Sequence, residues 1–305
     1  METSNPVQSW MYFLQKDPKF ETERVYELRR QKPTKKIPQT NMLLEKVEGI
    51  PIYDVRPQLE QCSFNTTGFF LLDMDTGLVA EDFDQRSKVM NVFLPQLAAA
   101  VKDKLNASRV QIFDYQLRKR NRDFPISNGE IYEYRQPSCL AHVDATPGDI
   151  ERLRHGLNKG NFERVNNVRC QFVKYASVSF RFLWQNSDLI FFDSAWKPLR
   201  GPTRDWPLGL CDNRSVDPEV DLKICDLVAP DGTSETASVH HSPKQRWCYV
   251  SDQMPNEIWV FMQSDSNGTS GMSSMSGPRY LLIHNRALIN GSRCSTLLIP
   301  TSRHK

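Results

Sequence analysis

The sequence predicts an α+β chain that is mainly β: a sandwich or jelly roll with supporting helices and an N-terminal extension. Three observations predict it. From Val168 onward the apolar runs are short and are punctuated by Pro and Gly, which is the pattern of many short strands joined by turns. One stretch, Glu81 to Lys104, instead repeats its apolar residues at helical spacing. The first 50 residues are polar and basic, with Lys32-Pro33-Thr34-Lys35-Lys36 in their middle, and read as an arm packed on the core rather than as part of it.

Taken in order, residues 1–50 form that arm and 51–305 a single domain. Ile50 to Leu72 suggests short strands. Val89, Met90, Val92, Phe93, Leu94, Leu97, Ala98, Val101 and Leu105 give one helix that backs a sheet. Val110 to Asp114 reads as a strand and Gly148 to Leu157 as a short helix. The strands then follow at Gln171–Val173, Val178–Leu183, Leu189–Phe192, Leu222–Leu227, Trp247–Val250, Ile258–Met262, Tyr280–Ile283 and Thr296–Ile299. Ser264 to Gly277 is rich in Ser, Gly and Met and reads as a loop.

Composition excludes several classes. A net charge of +3 over 305 residues is too mild for a nucleic-acid or membrane-surface protein. No apolar run approaches a membrane span. The start, Met1 to Pro6, lacks a secretory signal. Seven scattered cysteines without a C-x-x-C then read as reduced thiols in the cytoplasm. The partner expected is a small molecule, with no nucleic acid and no membrane; a homodimer is compatible with the sequence but not required by it.

The chemistry sits in His142-Val143-Asp144. On a strand, residues two apart share a face, so an imidazole and a carboxylate stand side by side, two thirds of a 2-His-1-carboxylate site for non-haem Fe(II). The third ligand must be a distant His. His284 is favoured because Arg293-Cys294-Ser295 follows nine residues later. Arg293 and Ser295 again share a face, and an Arg fork with a hydroxyl suits a buried distal carboxylate such as that of 2-oxoglutarate. His240 and His241 compete for the third position, but no Arg-x-Ser follows them. Trp196, Trp206, Trp247 and Trp259 could line a cavity, though core packing in a sandwich is the better account for at least two of them.

Longer blocks carry a family resemblance. Phe192 to Pro202 and Asp205 to Asp212 are similar to a W-[RK]-P-[LI]-x-G-P…D-x-P-L-A-L-C-D block, and Arg246 to Glu257 to an R-W-x-Y-L-S-D-x-x-P-x-E block. Thr66 to Phe69 and Ser108 to Tyr115 also fit. These blocks belong to the fungal and bacterial non-haem Fe(II)/2-oxoglutarate-dependent oxygenases around the cephalosporin 7α-methoxylation component and the gibberellin GA4 desaturase, and the resemblance runs roughly from Tyr53 to Leu298. The chain departs from the pattern at Asp193, where Asn is usual, and in the tail Cys294 to Leu298.

The resemblance implies a double-stranded β-helix, cupin-like core, with Fe(II), 2-oxoglutarate and O2 as cofactor and co-substrates. His142, Asp144 and His284 would be the metal ligands, and Arg293 and Ser295 would hold 2-oxoglutarate. The expected activity is oxidation of a small secondary metabolite by hydroxylation, desaturation, epoxidation or ring formation. Asp144, being a carboxylate, speaks against halogenation. Two other readings stand beside this one: a jelly-roll binding protein without turnover, and a cupin-like hydrolase whose metal polarises water.

Overall fold

The computed structural model describes residues 5–29, 37–107, 109, 110, 112, 115, 117–122, 124, 133, 134, 136–149, 152, 170–172, 190, 191, 194–230, 232–262, 264, 265, 282–284 and 295–297. Among these the chain is mostly β, in three sheets. The largest runs β1 (Val7–Leu14), β3 (Leu44–Asp54), β14 (Trp247–Tyr249), β11 (Leu208–Cys211), β17 (Leu282–His284), β7 (His142–Val143), β13 (Gly232–Val239), β12 (Leu222–Ala229), β2 (Val25–Leu28). A second runs β4 (Phe69–Asp73), β15 (Glu257–Phe261), β10 (Ser194–Pro198), β18 (Ser295–Leu297), β6 (Leu117–Lys119). The third joins β16 (Ser264–Asp265), β8 (Cys170–Phe172), β9 (Ile190–Phe191) and β5 (Arg109–Val110).

The two larger sheets pack face to face. Leu208, Leu210, Cys248 and Val250 from one meet Phe69, Trp196, Trp259 and Phe261 from the other in a single buried cluster. Alternation along each strand sends the intervening residues outward. On the second sheet these are Phe70, Leu72, Ala195, Ile258 and Val260, which receive the helical segment through Phe83, Val89, Phe93, Leu94, Leu97 and Val101.

That segment is helical as its spacing predicts, but it is not one helix. A 3-10 turn (Ala80–Asp84), a turn of α-helix (Arg86–Lys88) and a π turn (Val89–Phe93) lead into the helix Leu94–Leu105. Pro95 lies in the first turn of that last helix, where the N–H it lacks would have no partner in any case. Asn106 ends the helix in the left-handed conformation, φ 49°, which Asn tolerates better than most residues.

The strand β3 crosses the expected boundary at residue 50, and β1, β2 and β3 are hydrogen-bonded members of the largest sheet. Tyr12 also exchanges backbone hydrogen bonds with the segment entering β7: its N–H donates to Cys139 O and its carbonyl accepts from Ala141 N, each at 2.9 Å. The sheet therefore curls back on itself through β1. The N-terminal strands contribute Met11, Phe13, Ile50 and Ile52 to a cluster with Ala141, Val143, Ala237, Val239 and Trp247.

Sequence patterning misses β10, β11 and β13. Gly232-Thr233-Ser234-Glu235-Thr236 carries little apolar signal, and it is held as a strand by eight pairings with β12. All four tryptophans weighed as cavity residues are core instead, each 0–2% exposed. Val178–Leu183 lies outside the described residues.

Candidate metal centre

The local sequence aims the site. Ala141 and Val143 are fully buried in the cluster behind the sheet. Period-two alternation then puts His142 and Asp144 on the opposite face, the one turned toward the second sheet. β7 has a strand on each side: Ser238 of β13 and Leu282 of β17 both pair with His142.

His142 Nδ1 lies 2.7 Å from the Leu140 carbonyl. A carbonyl only accepts, so Nδ1 carries the proton and donates, which makes Nε2 the ring atom that can offer a lone pair to a metal. Nε2 stands 3.5 Å from Asp144 Oδ1, with the two side chains 25% and 17% exposed. Two donors each about 2.1 Å from one metal, at angles between square and tetrahedral, lie about 3.0–3.4 Å apart. The pair fits a shared metal closely, and the nitrogen–oxygen donor set suits Fe(II).

His284 ends β17. Leu282 is opposite His142 and His284 is opposite Leu208, so His284 occupies a register position on the same face, one diagonal step from His142. Such diagonal neighbours are about 7–8 Å apart. The side chain of His284 is outside what the structure describes.

The competing histidines are described and placed elsewhere. His240 Nδ1 donates to the Leu14 carbonyl at 2.8 Å, and burial pushes its pKa down. His241 packs edge-on against Phe13, ring centroids 5.1 Å apart. Among the described residues neither joins His142 and Asp144 in a group of three metal-binding side chains.

Of the two residues expected to hold a carboxylate, Arg293 lies outside the described residues. Ser295 belongs to β18 in the second sheet, opposite Lys119, with Leu297 opposite Leu117 and Lys197. In the same register Thr296 is opposite Pro198 and Arg118.

The polar residues inside the family-like blocks are structural or exposed. Arg200 pairs with Glu81 and Arg204 with Asp252 at 2.7 Å, both on the surface. Asp193 is outside the described residues. The blocks hold the turn Leu199–Pro207 against Gln253, which is fully buried and donates to the Glu257 carbonyl at 2.7 Å. Gly201 is required there: a Cβ would sit 2.6 Å from Pro255 Cδ.

A family profile described as the oxidoreductase/YMDC permease-like domain matches residues 5–175 and 191–277. The chain belongs to this family. No helix among the described residues is long and apolar enough to cross a membrane. The chain is 28% identical over 226 residues to the alpha-ketoglutarate-dependent dioxygenase tstK of Talaromyces stipitatus, covering 72% of this chain and 73% of that protein. It is 28% identical over 264 residues to the Fe(II)/2-oxoglutarate-dependent dioxygenase nvfI of Aspergillus novofumigatus, covering 85% and 84%. The hydroxylase/desaturase efuI of Hormonema carpetanum is 23% identical over 237 residues, 72% of each chain.

These relatives are of the kind that the sequence blocks resemble. A solved structure of the iron and alpha-ketoglutarate-dependent endoperoxidase NvfI superposes with a TM-score of 0.73 at 22% identity, over 97% of this chain and 98% of that one. A second structure of the same endoperoxidase gives 0.71 at 23% identity. The fold is therefore shared from end to end.

Proposed function

We propose that this chain is an Fe(II)/2-oxoglutarate-dependent oxygenase acting on a small molecule of secondary metabolism, built on a double-stranded β-helix core. The observation that carries the reading is the His142 Nε2–Asp144 Oδ1 pair, 3.5 Å apart with the far ring nitrogen tied to Leu140. The family membership and the dioxygenase relatives support it. The curled large sheet packed on a second sheet supports the β-helix, and five free cysteines among the described residues accord with the cytoplasm.

In this reading His142, Asp144 and His284 hold the iron. Arg293 pairs with the distal carboxylate of 2-oxoglutarate, with a hydroxyl from Ser295 or its neighbour Thr296. Bound Fe(II), with 2-oxoglutarate and O2, supplies oxidation of a substrate C–H while 2-oxoglutarate becomes succinate and CO2. The protein's part is orientation. The Leu140 carbonyl fixes the ring tautomer, Ala141 and Val143 lock the strand, and the buried Trp196–Trp259 cluster keeps the neighbouring interior dry. A cupin-like hydrolase would need no oxygen and no 2-oxoglutarate, and the relatives named as dioxygenases do not favour it.

The test is succinate release from 2-oxoglutarate by purified protein, with Fe(II) present or withheld and in air or under argon. Release should require both metal and oxygen, and should vanish in His142→Ala. Release that is indifferent to Fe(II), or no release together with no Fe(II) bound by the wild type, would overturn the proposal.

A further inference from the structure

The turn that follows Asp144 is tied to β13 by a polar clamp that the metal ligands do not explain. Thr146 Oγ1 donates to Glu235 Oε2 at 2.7 Å, and the Asp149 N–H returns to Thr146 Oγ1 at 3.2 Å. The Glu235 N–H donates to Asp149 Oδ1 at 3.2 Å, so Glu235 grips the turn with both backbone and side chain. Thr146 and Asp149 are 2% and 5% exposed. Gly148 lies so close that a Cβ there would sit 2.9 Å from Glu235 Oε2.

Two arginines complete the clamp. Arg152 Nη2 donates to Asp149 Oδ1 at 2.8 Å. Arg24, beside β2, reaches Glu235 Oε1 and also donates to both carboxylate oxygens of Asp226 at 2.9 and 3.1 Å. Hydrogen bonds from Thr146 and Arg24 outweigh burial and hold the Glu235 pKa below the usual carboxylate range.

The geometry of this clamp bears on the metal pair. β13 pairs with β7 only at Val143 and His142, and the chain leaves the sheet at Asp144. Two residues on, Thr146 ties the turn back to β13 through Glu235. We infer that Glu235 is a positioning residue for the metal site: through Thr146 and Asp149 it sets where the Asp144 carboxylate stands relative to His142, and the N-terminal segment joins in through Arg24. The inference rests on His142 and Asp144 being metal ligands, and it adds residues that no local motif contains.

The test is Co(II) binding to metal-free protein, followed by the visible absorption of the bound ion. Glu235→Gln keeps the shape but weakens the grip of both Thr146 and Arg24. Thr146→Val removes the hydroxyl and Thr146→Ser restores it. Loss of an orienting partner of a metal ligand costs about 10–100-fold in metal affinity. Glu235→Gln and Thr146→Val should therefore bind Co(II) about 10–100-fold more weakly with an altered spectrum, while Thr146→Ser binds like the wild type.

A purely structural role would lower the melting temperature and leave affinity and spectrum of the folded protein unchanged, and that result overturns the inference. Gly148→Ala, which pushes on Glu235 without removing a hydrogen-bonding group, should shift the spectrum in the same way if Glu235→Gln fails to fold. If the wild type itself binds no Co(II), the metal-site reading fails first. If the wild type binds and all variants bind equally, only the clamp fails.

Discussion

Lys197 offers the sharpest test of the energetics. It lies on the helix-packed face of β10 and is 3% exposed. Its ammonium sits 4.6 Å from the Phe83 ring centroid and 5.4 Å from that of Phe93. Burial lowers its pKa from 10.5 to about 8, against a weaker pull upward from Asp75.

The folded pKa is below the unfolded one, so between about 8 and 10.5 the unfolded chain binds more protons and stability rises with pH. Below pH 8 the charged amine costs the fold about 3 kcal/mol. The two ring faces return part of this, about 0.5–2 kcal/mol. Lys197→Met, which keeps the length of the side chain, should therefore stabilise the protein at pH 7 by about 1–3 kcal/mol.

By pH 9.5 the wild type should have recovered about 2 kcal/mol, and the advantage of the variant should shrink by that amount. For a chain of this size that is about 3 °C in melting temperature. Thermal unfolding of both proteins at both pH values, read by circular dichroism, gives the double difference in which every other titrating group cancels. A variant less stable than wild type at pH 7, with a difference that does not move with pH, would refute the reasoning and show that the aromatic faces alone decide the position.

Other outcomes are accessible to simpler assays. His142→Ala and Asp144→Ala should each abolish Fe(II) binding measured by equilibrium dialysis with little change in melting temperature, since both are partly exposed; a stoichiometric iron content in either would remove the pair from the site. Arg293→Ala should raise the 2-oxoglutarate concentration needed for half-maximal succinate release by about 30-fold or more while iron binding survives; comparing Ser295→Ala with Thr296→Val then tells which hydroxyl helps, and no effect of Arg293→Ala places the co-substrate cation elsewhere. Arg56 holds Glu257 through two bonds of 2.7 and 2.8 Å and keeps its pKa low, chiefly by that hydrogen bonding. The resulting stability is present above the unfolded pKa near 4.5 and is lost as pH falls through the depressed folded value, so Arg56→Met should cost about 1–2 kcal/mol at pH 7 and much less at pH 3; an equal loss at both pH values in urea melts would contradict it. Gly201→Ala should destabilise by about 1–3 kcal/mol, because its Cβ meets Pro255 Cδ and two backbone atoms of Gln253 and Met254; an unchanged urea midpoint would show that the turn yields.

The sequence by itself determined what local geometry can encode. Two-residue alternation made His142 and Asp144 face-sharing before any fold was known, and the buried Ala141 and Val143 are the reason that face is the open one. Helical spacing located the stretch Glu81 to Leu105, although it is divided into 3-10, α and π turns ahead of its last helix. Only the tertiary structure decided the rest. It set β17 beside β7, giving His284 a position near the pair, and drew β1 to β3 into the sheet. It buried His240 against Leu14 and set β18 between β10 and β6. It also joined Glu235 to Thr146 across 89 residues. Each of these is a pairing between distant segments. Pairing and register depend on which strands meet and how they are staggered, and neither periodicity nor a three-residue motif carries that information.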